Sequence, residues 1–268
     1  MTVEAIILGI VQGLTEFLPI SSSGHLILAQ WATAWKGELV GTLTFDVALH
    51  AGTLLAVLWY FRSDWMRLGA AAVNVVRGKA AEHEAKLLGY IILATLPAGC
   101  VGFLFDDVVE TTFRNPLLVC AALIAGSLIM WLADRHASRE RRLASMKLGH
   151  ALFVGVAQAI ALIPGVSRSG ITISAARAAG YRREDSARFS FLLATPVIAG
   201  AAVLKLNNLS LHGESLNAFV LGTLSAAVVG YFAIRFLLRY LERHSLNLFV
   251  WYRLALAGAV LLVWAVNR

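Results

Sequence analysis

Six apolar runs, at about 43–61, 87–105, 115–133, 189–206, 216–238 and 249–266, are each long enough to cross a bilayer, and four others stop short. The short ones, 3–18 with 25–35 and 147–163 with 170–179, form two pairs, each interrupted by a proline and a small polar loop. A crossing helix needs roughly 20 apolar residues, and proline ends a helix, so no member of these pairs spans alone. They are expected to form two re-entrant helical hairpins. Non-helical backbone at membrane depth survives only where protein buries it or water reaches it, so both loops should line a cavity. The expected fold class is an all-α integral membrane protein, six transmembrane helices plus two re-entrant helical hairpins.

Composition agrees: 59% of the 268 residues are hydrophobic and only 15% are charged, too apolar for an ordinary soluble domain. The first run carries Glu4, Gln12 and Glu16 and meets no small-residue cleavage site, which argues against a removable signal peptide. A net charge of +7 would suggest nucleic acid for a soluble chain. Here Lys and Arg sit in the loops, as orientation signals and contacts to anionic lipids, and no nucleic acid is expected. Cys100 and Cys120 lie in apolar runs without metal-ligand spacing and read as small core hydrophobes.

Charge bias sets the topology. The linker at 62–86, with Arg62, Arg67, Arg77, Lys79 and Lys86, belongs on the cytoplasmic side, as an interfacial amphipathic segment carrying Trp65. The loop at 106–114, with Asp106, Asp107 and Glu110, belongs outside, and Arg135, Arg139, Arg141 and Arg142 bring the chain back inside. Arg182, Arg183 and Arg188, and the stretch 239–244, are also inside, with 207–215 outside. The first hairpin then dips in from outside and the second from inside. Aligning 9–24 with 155–170 matches Gly9, Gln12, Ser21, Ser23 and Gly24 to Gly155, Gln158, Ser167, Ser169 and Gly170. The chain therefore reads as a single membrane domain, 1–268, of two halves, 1–134 and 147–268, in an inverted-topology repeat. Such repeats place the functional site near the midplane, where broken elements meet.

The polar groups cluster where those elements break. Ser21-Ser22-Ser23-Gly24 and Ser167-Arg168-Ser169-Gly170 each precede a helix, offering hydroxyls and unpaired backbone N–H groups; these either cap helices only or build an anion site. Two helix ends facing each other suit a diphosphate, and Arg168 adds a fork that fits phosphate oxygens two at a time. Glu16 is a buried neutral acid, a helix partner or a metal ligand. As a ligand it would hold magnesium, or calcium, with Gln12 one turn away as a neutral oxygen donor. His25, three residues after Ser22, either acts on that hydroxyl or a bound phosphate, or is a hydrogen-bonded interfacial histidine. Asp46 and His50, an i, i+4 pair, either stand behind these groups or are an ordinary interfacial pair. Arg177 reads as an inner-leaflet anchor or a helix-packing residue.

At Gln12-x-x-x-Glu16, Phe-Leu-Pro-x-Ser-Ser-x-Gly-His25 and Pro164-Gly-x-Ser-Arg-Ser-x-x-Thr172 the chain resembles the undecaprenyl-diphosphate phosphatase (bacitracin-resistance) family, over essentially its whole length. The resemblance implies a metal-dependent hydrolase of the bacterial inner membrane. It would remove the terminal phosphate from a polyprenyl diphosphate, recycle the cell-wall lipid carrier and confer bacitracin resistance, with its site open to the outer face. It implies Glu16 as metal-site carboxylate, Ser22 as candidate nucleophile with a metal-bound water as the alternative, His25 as acid and base, and Arg168, Ser167 and Thr172 as phosphate binders, with Ser21, Ser23 and Ser169 beside them. Some members have glutamate where this chain has Gln12, which leaves one charged ligand fewer and makes Glu16 dominant. Expected partners are the lipid substrate, membrane lipids and a second copy of the chain. The competing reading, an anion or polyprenyl-phosphate transporter, needs binding but no nucleophile; a purely structural role is disfavoured by the cost of Arg168 and Glu16 in a membrane.

Overall fold

The computed structural model of the chain describes residues 2–33, 43–79, 82–112, 115–137, 140–206 and 214–266. It is helical: α1 Thr2–Phe17, α2 Ser22–Thr33, α3 Leu43–Tyr60, α4 Arg62–Val76, α5 Glu82–Thr112, α6 Pro116–His136, α7 Leu148–Ile160, α8 Arg168–Ala178, α9 Arg183–Leu206, α10 Glu214–Leu241 and α11 Asn247–Val266. Among the described residues, five helices are long and apolar enough to cross a membrane, within α5, α6, α9, α10 and α11. The expected span at 43–61 is α3, whose apolar part, Phe45–Tyr60, is shorter. One boundary is corrected. The acidic stretch 106–114, expected as a loop, continues as helix to Thr112 past a break at Phe105.

α1 buries Ala5, Leu8, Gly9, Gln12 and Glu16, spaced three and four apart, so a single face carries both packing and polar groups. That face lies along α10, while α7 lies along α5. Close approach is possible because Gly9 and Gly155 have no side chain: a Cβ at Gly9 would strike the Gly222 carbonyl, and one at Gly155 the backbone of Ala94. Each hairpin is thus wedged against a long helix from the other half of the chain. α3 packs on α9 between them. The core beneath the site is aromatic, with Phe17 meeting Phe191 edge to face at 5.4 Å and Phe61, Phe189 and Tyr181 buried around it.

At the end of α6, buried Asp134 accepts from Arg177 Nε (3.2 Å) and Arg183 Nε (2.7 Å) through one oxygen and from the Leu246 N–H (3.0 Å) through the other. Arg177 also donates to the Tyr181 carbonyl at 2.6 Å, so it fixes the end of α8 to α6 and is a packing residue, while Asp134 joins α6 to α8, α9 and the start of α11. Burial raises the Tyr181 phenol above its usual range, and it stays a neutral donor to the Ser145 carbonyl. Removing Asp134 would leave the buried Arg177 guanidinium with the more distant Glu140, at 3.6 Å, as its remaining counter-charge, which is expected to destabilise the fold. α4 is the amphipathic linker helix: Leu68 and Ala71 are buried, Trp65 packs on the core, and Asp64 accepts from Arg67 and Arg188, both at 2.6 Å.

Candidate active site between the two hairpin loops

The loops that join α1 to α2 and α7 to α8 share one local geometry. Ser21 and Ser167 have φ of 79° and 75°, the left-handed region that costs a side chain roughly 1–2 kcal/mol. Each offsets that cost by capping the helix it precedes: Ser21 Oγ accepts from Gly24 N (3.3 Å) and Ser167 Oγ from Gly170 N (3.1 Å). Each hydroxyl also lies near the serine two residues on, Ser23 at 3.5 Å and Ser169 at 3.3 Å. The loops bond to one another as well. Gly165 N donates to Ser21 Oγ (3.2 Å), and Ser169 Oγ donates to the Leu18 carbonyl (3.1 Å). Thr172 Oγ1 donates to the Arg168 carbonyl and lies 2.7 Å from Ser190 Oγ. The hydroxyls of Ser21, Ser167, Ser169 and Thr172 are therefore buried in the loop framework.

Glu16, at the end of α1 and 5% exposed, is the hub of what remains. Arg168 Nη2 donates to its Oε1 at 2.9 Å, Ser22 Oγ donates to Oε2 at 2.6 Å, and Gln12 Nε2 donates to Oε2 at 3.0 Å. His50 Nε2 lies 3.5 Å from the same oxygen. His50 Nδ1 sits 2.7 Å from the Asp46 carbonyl, which can only accept, so Nδ1 carries a hydrogen and Nε2 faces the Glu16 carboxylate. Arg168 Nη1 is buried without a partner. The structure thus joins Glu16, Gln12, Ser22, Arg168 and His50. It leaves His25 apart: Nδ1 bonds the Ser21 carbonyl at 2.7 Å, Nε2 bonds Tyr252 Oη at 2.8 Å, and the two rings stack. Both nitrogens are engaged by groups other than Ser22, although the two residues are one helical turn apart on α2.

Arg253 on α11 was not singled out by sequence reasoning. It is fully buried, and its Nη1 donates to the Pro19 carbonyl (3.3 Å) while Nη2 donates to the carbonyls of Leu123 (3.2 Å), Gly165 and Val166 (both 3.0 Å). One guanidinium therefore clamps both loops to α6 and α11. The available signal was an arginine within the apolar run 249–266, an expensive placement unless the residue has partners. Arg253→Met is expected to lower the unfolding free energy by about 3 kcal/mol or more, since the buried carbonyls of both loops lose a charged donor, with Arg253→Lys falling between. An unfolding midpoint in detergent equal to wild type would show that the loops hold without the clamp.

Beside His25 opens an apolar groove of about 750 Å³ lined by residues of α2 and α11 and by Val11 of α1, with Trp31 and Trp264 among them. A family model described as bacitracin resistance protein BacA matches residues 5–259. The chain belongs to the bacitracin-resistance protein family. Its relatives are similar from end to end. An undecaprenyl-diphosphatase of Moorella thermoacetica is 48% identical, covering 100% of both chains. That of Pelotomaculum thermopropionicum is 45% identical over 100% of this chain and 98% of its own. That of Desulforudis audaxviator is 48% identical, covering 97% of each.

For this member of the bacitracin-resistance family, the donor set decides whether a divalent ion could be held. Among the described residues no three His, Cys, Asp or Glu side chains gather as a metal site. Gln12 Oε1, however, is buried with no partner one turn from the Glu16 carboxylate. Both Glu16 oxygens accept hydrogen bonds here, from Arg168, Ser22 and Gln12, so a magnesium ion held by Glu16 and Gln12 Oε1 would have to displace one of these donors, its remaining positions completed by substrate phosphate.

Proposed function

We propose that the chain is a membrane phosphatase that hydrolyses undecaprenyl diphosphate, or a related polyprenyl diphosphate, to the monophosphate and phosphate. The observation that carries this reading is Ser22: a hydroxyl at a helix N-terminus, donating at 2.6 Å to a buried carboxylate that also holds Arg168. The terminal phosphate lies across the N-termini of α2 and α8, and Arg168 Nη1, which has no protein partner, donates to it. Ser22 Oγ attacks the terminal phosphorus, its proton passes to Glu16, and the bond from phosphorus to the bridging oxygen breaks, releasing polyprenyl monophosphate. Water then hydrolyses the phosphoserine. His50 Nε2, next to the oxygen that receives the proton, stabilises the protonated carboxyl or carries the proton onward. In this reading His25 binds and orients rather than accepting the Ser22 proton. Glu16 and Gln12 are the residues that would hold magnesium, or calcium, which when bound supplies charge to offset the diphosphate. Release of inorganic phosphate from polyprenyl diphosphate by the purified protein in detergent tests the reading. A carrier, which has no bilayer to work across in detergent, would release none.

The same reading includes the finer topology: six spans with α3 as the first, two re-entrant hairpins from opposite faces, and a site open to the outer face of the bacterial inner membrane. It is supported by the length of α1, α2, α7 and α8 and by the basic residues at the ends of α6, α9 and α10. In a Cys100→Ser, Cys120→Ala background, Asn115→Cys is expected to react with an impermeant thiol reagent added outside, and Arg243→Cys to stay unlabelled. Labelling of both from one side would defeat the topology.

A further inference from the structure

The two hairpins differ in how their second helices are covered. α8 packs along α6, whereas α2 stands off α11. α2 and α11 meet at the stacked, hydrogen-bonded pair His25 and Tyr252 and in a small buried cluster with Leu28, Ala257 and Val260, and between these contacts lies the groove of about 750 Å³. Leu28 and Val260, both buried, form its floor; Ala29, Leu256, Ala259 and Val263 form its walls. Small side chains at 29 and 259 keep it open. Its inner end is one helical turn from Ser22, since His25 lies on the same side of the N-terminal turns of α2, and Trp31 and Trp264 line it farther along both helices.

A slot of this kind, apolar along its length and beginning where the head-group loops end, has the chemistry of a hydrocarbon chain covalently tied to a polar head. Resting on the phosphatase reading, we propose that the isoprenoid units next to the diphosphate lie in the groove between α2 and α11, above the His25 and Tyr252 pair. Lipid tails are as apolar as the groove, so its occupation contributes little affinity from hydrophobic transfer. Its contribution is alignment: a chain fixed beside Ser22 holds the terminal phosphorus in line with the hydroxyl. Bulk lipid is the alternative occupant, and it would give no link between the groove and turnover. The chain-binding surface is asymmetric, confined to the first hairpin, because the equivalent side of the second hairpin is closed by α6.

Ala259 is exposed to the groove, so Ala259→Trp fills it without crowding the core, and Val263→Trp does the same farther out. The test compares undecaprenyl diphosphate with isopentenyl diphosphate, a head group carrying one isoprene unit, each measured as substrate and as competitive inhibitor. Ala259→Trp is expected to lower kcat/KM for the long-chain substrate about tenfold or more, since misplacement of about 1 Å can cost on the order of a hundredfold. Turnover or inhibition by isopentenyl diphosphate should stay within about twofold of wild type, which also reports that the variant is folded, with Val263→Trp showing the same selectivity. Equal loss on both compounds, or no loss on either, overturns the assignment. If the unsubstituted protein releases phosphate from neither compound, the phosphatase reading itself fails, and the groove assignment with it.

Discussion

Arg168→Lys is expected to retain no more than about one hundredth of wild-type kcat, although it keeps the positive charge. The guanidinium does two things at once. Nη2 holds Glu16 Oε1 at 2.9 Å, while Nη1, buried and without a protein partner, is left for a phosphate oxygen. A planar fork can donate in both directions, but an ammonium is a single point that satisfies one oxygen at the expense of the other. Losing one donor to the developing charge costs about 10²- to 10³-fold. The lysine also loses the directed hydrogen bond that fixes Glu16 Oε1 and so the orientation of the carboxylate that meets Ser22. Steady-state phosphate release by purified Arg168→Lys checks this, and near-normal turnover would show that charge alone suffices.

Ser22→Ala is expected to lose nearly all activity while inserting and unfolding like wild type, because Ser22 is only part-buried and its one side-chain bond in this structure goes to Glu16. If the hydroxyl merely donated to phosphate, the loss would be one hydrogen bond to a charged group, about 1.5 to 3 kcal/mol, or roughly 10- to 150-fold. A residual rate inside that range assigns attack to water. A rate far below it assigns attack to Ser22.

The architecture was legible in the sequence wherever run length and charge carry the information. Pro19 and Pro164 cut apolar runs that could otherwise be spans, and the helices on either side, α1 with α2 and α7 with α8, end within a few residues of where the runs do. The end of α5 was not legible, because Asp106 and Asp107 suggest a loop by polarity and carry no local signal for a break at Phe105 followed by more helix. Within the site, Gln12, Glu16, Ser22 and Arg168 come together as motif spacing suggests: 12 and 16 share a face of α1, and the two loops meet. The histidines were harder to place. His25 is near Ser22 in sequence, yet its ring is held by the Ser21 carbonyl and Tyr252, while His50, 34 positions from Glu16 in the numbering, is brought to it by the packing of α3 on α1. Arg253 shows the limit most clearly. Its partners are backbone carbonyls of Pro19, Leu123, Gly165 and Val166, and a carbonyl has no side-chain identity for a sequence to display.

The central claim is that Ser22, released to Glu16 and aligned by Arg168, takes the terminal phosphate of a lipid diphosphate. Acid quench of the wild-type protein during turnover of polyprenyl diphosphate radiolabelled in its terminal phosphate tests it most directly. The expected result is label covalently bound to a peptide containing Ser22, absent from Ser22→Ala and appearing before free phosphate. Free phosphate accumulating at wild-type rate with no labelled protein at any quench time would contradict it.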